Sequence, residues 1–431
     1  MKRDLLRTIA PWGRGLMLAP LSVSLVALFT QYAYAQVVRF AKTYGGANGE
    51  WAFSVQQTSD GGYIVGGTLS FSVSSSDILL IKTNAFGNVQ WAKTYGGTDG
   101  EWAFSVQQTS DGGYIVAGWT SSFGAGNRDI FLVKTDANGN LQWAKTYGGT
   151  NVDEAYSVQQ TSDGGYIVAG TTRSFGAGNY DIFLIKTNAS GNVQWAKTYG
   201  GTNVDEAYSV QQTSDGGYIV AGTTRSFGAG HYDIFLIKTN ASGNVQWAKT
   251  YGGTVYEEAR SVQQTSDGGY IVTGITNSFG VGNIFLIKTD ANGNVQWAKT
   301  YGGINEDEAY SVRQTSDGGY IVAGTTRSFG ASWYDVFLIK TDASGNIQWA
   351  KTYGGTVYEE ARSVQQTSDG GYIVAGRTDS FGAGGGDIFL IKTDANGNIG
   401  SCGIVRNVTP TVTTPSPTVT TPSPSVSSPS P

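Results

Sequence analysis

The sequence predicts an all-β fold: a closed, seven-bladed β-propeller of four-stranded antiparallel blades. Three observations predict it. The phrase SV(Q/R)QTSDGGYIV begins at Ser54, Ser105, Ser157, Ser209, Ser261, Ser311 and Ser363, seven copies about 52 residues apart, and periods in this range belong to propellers, solenoids and arrays. No stretch shows helical periodicity, and no proline falls between residues 36 and 409. The chain also opens, at FAKTYGG (40–46), on a phrase that elsewhere closes a repeat.

One copy shows the strands. AYSVQQT (155–161) is a strand, SDGG a turn, and YIVAGTT (166–172) a second strand of β-branched and aromatic residues. After the longer loop RSFGAGNYD, the segment IFLIKT (182–187) is nearly all apolar and is predicted to be buried on both faces. NASGN then turns the chain into VQWAKTY (193–199), where Val193, Trp195 and Tyr199 share one face. Asp-Gly, Asn-Gly and Ser-Gly stand where hairpins need positive φ, which glycine supplies without strain. Four such strands make one propeller blade.

The opening phrase explains how the ring closes. WAKTYGG recurs at Trp91, Trp143, Trp195, Trp247, Trp297 and Trp349, but the seventh repeat ends at IKTDANGNIG (391–400) without it. The strand at 37–46, with Phe40 in the tryptophan's place, supplies what blade seven lacks. An open solenoid has no use for an orphan strand; a ring needs a clasp, and closure removes exposed sheet edges.

The two ends read differently. Lys2, Arg3, Arg7 and Arg14 precede an apolar run of about 14 residues and an Ala-x-Ala site ending at Ala35, the pattern of a cleaved secretory signal. Such a run is shorter than the ~20 residues a membrane span needs. Residues 36–407 are then the propeller, extracellular or at the cell surface. Residues 408–431 hold all seven prolines of the mature chain and read as a disordered Pro/Thr/Ser-rich stalk or linker.

Without the leader, 24 Lys+Arg face 32 Asp+Glu. An acidic surface with scattered lysines excludes nucleic acid and anionic lipid as partners. A lone cysteine, Cys402, leaves no intrachain disulfide to hold the fold.

The unit YGGTNVDEAYSVQQTSDGGYIVAGTT…DIFLIKTDANGNVQWAKTYGG resembles the β-propeller repeat family of secreted bacterial and archaeal proteins (SBBP-like). The shared features are a Gly-Gly, an acidic residue before the first strand, a D-G-(G/N)-x-Y turn and a D-x-x-G-x-x-x-W hairpin. The similarity covers residues 37–400. It implies a propeller and a surface location, but no common activity. The hairpin is also similar in part to the tryptophan-docking repeats of quinoprotein-like propellers, with A-N-G-N or A-S-G-N in place of T-G-K.

Seven carboxylates stand four residues before the repeated serine: Glu50, Glu101, Asp153, Asp205, Glu257, Asp307 and Glu359. First strands line the channel of a propeller, so these form a candidate ring near its mouth, where oxygen ligands would suit calcium. The bland alternative is that each accepts backbone N–H groups and fixes loop geometry. DANGN at Asp290–Asn294 mimics a calcium loop, but Val295 and Tyr301 stand where glycine and glutamate are needed, so it reads as a hairpin turn. The repeated tryptophans read as staples between blades.

Variation between repeats is the sharper signal. The TSDGG and (D/N)A(N/S/F)GN turns barely change, whereas the loops of the opposite face do. Aromatic and basic residues gather there: Trp51, Trp102, Trp119, Arg128, Tyr180, His231, Tyr232, Tyr256, Trp333, Tyr334 and Tyr358. Loops on a rigid scaffold are where binding concentrates, and exposed aromatics suit the apolar faces of sugar rings. With one histidine and no nucleophile motif, the chain is not expected to be an enzyme. No cofactor is expected, although calcium is allowed. The reading is a monomeric, secreted binding or adhesion module for glycan or protein. The alternatives are an envelope or matrix scaffold and, less so, a carboxylate-based carbohydrate-active enzyme.

Overall fold

The computed structural model describes residues 38–72, 75–331, 333–400, 403–420 and 425–427. The expected leader and Cys402 lie outside the described residues. Seven antiparallel sheets follow one another as the blades of a propeller, and no helix occurs among the described residues. In blade 3 the strands are Asp153–Gln160, Tyr166–Thr172, Asp181–Thr187 and Val193–Gly200, paired in sequence order. Blade 7 takes its fourth strand from the N-terminal side: Phe40–Tyr44 pairs with Asp387–Thr393, Phe40 opposite Lys392 and Tyr44 opposite Ile388. The predicted clasp is present.

The core lies between blades. Ile167, Ala169, Ile182 and Leu184 of blade 3 pack on Tyr218, Val220, Phe235 and Ile237 of blade 4, and the pattern repeats around the ring. The third strands of blades 3 and 4 are buried along their whole length, lysine included. The Lys186 ammonium, with its side chain 5% exposed, donates to Asp163 (2.8 Å), the Thr187 carbonyl (2.8 Å) and Gln194 (3.0 Å). A buried cation survives only when its donors are so satisfied, and every blade repeats the Lys–Asp pair.

The repeated tryptophans do staple blades. Trp91 meets Tyr114 of the next blade edge-on at 5.7 Å, and Phe40 meets Tyr63 in the same way at 6.1 Å. The glycine of the Gly-Asn turn is fixed by the same contact. Gly139 has φ +72°, and a Cβ there would lie 2.9 Å from the Trp91 ring.

Inner edges are capped by side chains. In blade 3, Ser157 and Gln159 accept the N–H groups of Val210 (3.2 Å) and Gln212 (2.6 Å) from blade 4. Ser363 and Gln365 of blade 7 accept from Val55 (3.2 Å) and Gln57 (2.7 Å) of blade 1, closing the circle.

The C-terminal segment departs from expectation. Instead of reading as a disordered stalk throughout, its described residues add a fifth strand to four blades. Val405–Asn407 pairs with blade 6, Thr411–Thr413 with blade 5, Thr418–Thr420 with blade 4 and Ser425–Ser427 with blade 3. In register, Val405, Val412, Val419 and Val426 each stand opposite the tyrosine of a fourth strand: Tyr353, Tyr301, Tyr251 and Tyr199. Their spacing is a heptad, so one period of extended chain carries the segment from one blade to the next. The prolines fall outside the triplets, never in them, because a triplet must donate N–H groups to the ladder. Thr420 and Thr413 add hydroxyl contacts to Thr250 (2.5 Å) and Thr300 (2.6 Å). Covered this way, Ala248 is 2% exposed, whereas the equivalent Ala92 and Ala144 of blades 1 and 2 are exposed.

This pairing is open to hydrogen exchange. The Ala350 carbonyl accepts from Val408 and the Gly354 N–H donates to Ile404, so the intervening threonine of each fourth strand faces outward. The amides of Thr250 and Thr300 are expected to be protected in the full chain and to match unprotected Thr94 and Thr146 once residues 411–431 are deleted. Equal protection before and after deletion would show that the strands do not hold in solution.

Candidate binding face

The seven predicted carboxylates are all 4% exposed or less, and each serves its own blade. Glu101 accepts the Gly97 N–H (2.8 Å) and the Thr120 hydroxyl (2.6 Å). Asp205 takes the Gly201 N–H (2.8 Å) and the Ser226 hydroxyl (2.6 Å). Glu50, Asp153, Glu257, Asp307 and Glu359 each receive the corresponding glycine N–H. They tie the crossover between blades to the loop after the second strand. The structure does not bring them together, and among the described residues no three His, Cys, Asp or Glu side chains are grouped to hold a metal. The first glycine of YGG is required here: a Cβ on Gly148 would lie 2.1 Å from Asp129 and 2.7 Å from Asp153.

What rings the axis is a position the sequence reading passed over. The residue before the repeated serine, at the β-bulge of each first strand, is Phe53, Phe104, Tyr156, Tyr208, Arg260, Tyr310 or Arg362. These seven form a closed chain of contacts. Ring centroids lie 5.1 Å apart for Phe53–Phe104, 5.0 Å for Phe104–Tyr156 and 5.2 Å for Tyr156–Tyr208. Arg260 sits over Tyr208 (5.1 Å) and Tyr310 (5.4 Å), and Arg362 over Tyr310 (4.0 Å) and Phe53 (5.9 Å). The signal was available, since this is the strand position that changes chemistry while its neighbours stay constant.

Two residues earlier along the strand, the mouth splits into two sectors. Blades 3 to 7 place Glu154, Glu206, Glu258, Glu308 and Glu360 there; blades 1 and 2 place Trp51 and Trp102. The glutamates accept from the ring: Tyr208 to Glu206 at 2.6 Å, Arg362 to Glu360 at 2.7 Å, and Arg260 to Glu258. In the other sector Trp51 stacks on Trp102 (5.9 Å, 21°) and Trp102 on Trp119 (6.0 Å, 13°). Arg377 covers Trp51 at 4.9 Å, and Arg128 covers Trp119 at 4.2 Å while pairing with Glu154 at 2.6 Å.

The remaining predicted residues scatter over the same face. Tyr232 packs on Tyr256 and Tyr334 on Tyr358, both at 5.3 Å. Tyr180 lies under Arg173 at 5.0 Å. His231 is exposed, and Trp333 is 76% exposed; neither joins the stack. Trp119, at 8% exposed, contributes to the core as well as to the face.

A rigid propeller with one uniform face and one chemically divided face is the class of protein this geometry defines. Within it, the chain belongs to the holdfast attachment protein D (HfaD) family, whose family model matches residues 125–378, more than half of the chain. Over 178 residues it is 29% identical to regulatory protein FlaEY of Caulobacter vibrioides, a match spanning 36% of this chain and 18% of that protein. Among solved structures it is similar to YCF48 bound to D1 peptide, at TM-score 0.45 and 11% identity over 83% of this chain and 96% of that one. It is also similar to Sqt1 from Chaetomium thermophilum, at 0.44 and 9% over 83% and 100%. Likenesses so distant bear on neither site nor ligand.

Protonation divides the two faces as well. Burial, with the facing Asp153, raises Asp129, and burial likewise raises Asp181, Asp205, Asp233 and Asp307. On the opposite face burial is outweighed by the Lys and Thr hydrogen bonds, which hold Asp111, Asp163, Asp215, Asp267 and Asp317 at about 2. A raised carboxylate favours folding more as pH falls, and a lowered one withdraws its support only between its ordinary value and its folded value. Melting temperature is therefore expected to hold or rise from pH 7 to about 4.5 and to fall steeply from pH 3.8 toward about 2. A steady decline from neutrality in a melting series would contradict this.

Proposed function

We propose that this chain is a cell-surface attachment module that holds an extracellular polysaccharide on its divided face, at the sector of blades 7, 1 and 2. One observation carries the reading: the Trp51–Trp102–Trp119 stack, bracketed by Arg377 and Arg128 and confined to one sector. Indole faces take the apolar side of a sugar ring, and the neighbouring arginines offer hydrogen-bond donors for its hydroxyl or acidic groups. Membership of an attachment-protein family supports the surface setting. Among the described residues no helix is long and apolar enough to cross a membrane.

The reading is of a binder rather than a catalyst. Groups near the axis recur from blade to blade, whereas catalysis needs an acid, a base and a stabilising group gathered at one point. The scaffold alternative draws on the outer strands, which reinforce blades 3 to 6 without building a pocket.

A glycan array with the full chain, run with calcium and again with EDTA, tests the class of ligand. Trp51→Ala and Trp102→Ala are each expected to weaken binding at least ~10-fold with little change in melting. Trp333→Ala, outside the stack, should bind as the parent does. Retained affinity in both stack variants would remove the sector from consideration. A blank array under both conditions would favour a protein ligand or a scaffold.

A further inference from the structure

Six blades place glutamine at the third residue of the repeated SVQQ, and blade 6 places Arg313 there. These positions line the central channel, where a cavity of about 220 Å³ lies below the aromatic–arginine ring. The glutamine orientation is fixed by chemistry. Gln56, Gln107, Gln159, Gln211, Gln263 and Gln365 each accept a backbone N–H from the next blade, at 2.6–2.7 Å. A backbone N–H can only donate, so the amide oxygen must face it and the NH2 group is left to the channel.

Arg313 is different in kind. It cannot accept a hydrogen bond, and among the described residues it donates to the Val312 carbonyl (2.8 Å) and the Ser261 hydroxyl (3.4 Å). The other two arginines near the axis each meet a carboxylate, Glu258 or Glu360. Among the described residues no acidic side chain lines the cavity around Arg313, and desolvation pulls its guanidinium down. A half-buried cation facing a channel without a counter-charge is costly, and here it is surrounded by further donors.

We propose that the channel binds a small oxyanion, a sulfate, phosphate or carboxylate group, on the Arg313 guanidinium, with glutamine NH2 groups completing the shell. The guanidinium fork matches such a group bidentately. This site is independent of the divided face and takes a different class of ligand.

The informative variant is Arg313→Gln, which restores what the other six blades carry and so should fold. In the full chain, sulfate is expected to give a saturable rise in melting temperature of about 2 °C. Arg313→Gln should melt higher than the parent without sulfate and lose the saturable rise. Crystals soaked in selenate, an anomalous analogue of sulfate, should show a peak at Arg313 in the parent and none in the variant. An equal sulfate response in both proteins, or a parent crystal without the peak, would overturn the proposal; the peak alone decides the matter if the variant does not fold.

Discussion

A propeller solves the sheet-edge problem only on paper until something satisfies the innermost strands. Each first strand has a partner on one side and the open channel on the other, so its inward N–H groups have no backbone acceptor. Here Ser and Gln side chains of the preceding blade take those N–H groups, blade after blade, and blade 7 does so for blade 1. Each bond is worth about 1 kcal/mol net, but an inner-edge N–H left buried and unmet costs more. The constancy of SVQQ follows from this handover, as does the consequence of breaking it once, at Arg313.

That constraint separates what was legible in the sequence from what was not. Strand order, blade number and the N-terminal clasp followed from the period and from counting third and fourth strands. The tryptophan staples followed from residue type. The acidic residues before the first strand were visible as a set, yet their partners belong to loops of the same blade, and spacing along the chain does not say which way a side chain turns. The axial ring of Phe53 to Arg362 was not legible as a site because this position varies inside a strand, not in a loop. The C-terminal segment hides its strands for a related reason. Its composition is that of a linker, but its proline-free triplets and heptad valines are those of a strand donor with a fixed step.

Near-perfect repetition sets a second limit. Seven equivalent blades generate a symmetric surface, and a symmetric surface has no place to put a single ligand. On the divided face the chain builds its tryptophan sector with few substitutions: tryptophan for glutamate in blades 1 and 2, Trp119 and Arg128 in blade 2, Arg377 in blade 7. The Lys–Asp pairs and turns of the opposite face are untouched. Scaffold and face are thus encoded largely in different residues, with Trp119, 8% exposed, shared by both.

The outer strands also bear on how the molecule meets force. They sit on blades 6, 5, 4 and 3 in that order, so a pull from the C-terminal side loads the triplet on blade 3 first and reaches the next only after it lets go. Each triplet is held by a few hydrogen bonds of about 1 kcal/mol, far weaker than a blade. Under tension the segment peels in discrete steps, each releasing one heptad, about 23 Å of extended chain, and each can re-form when the tension drops.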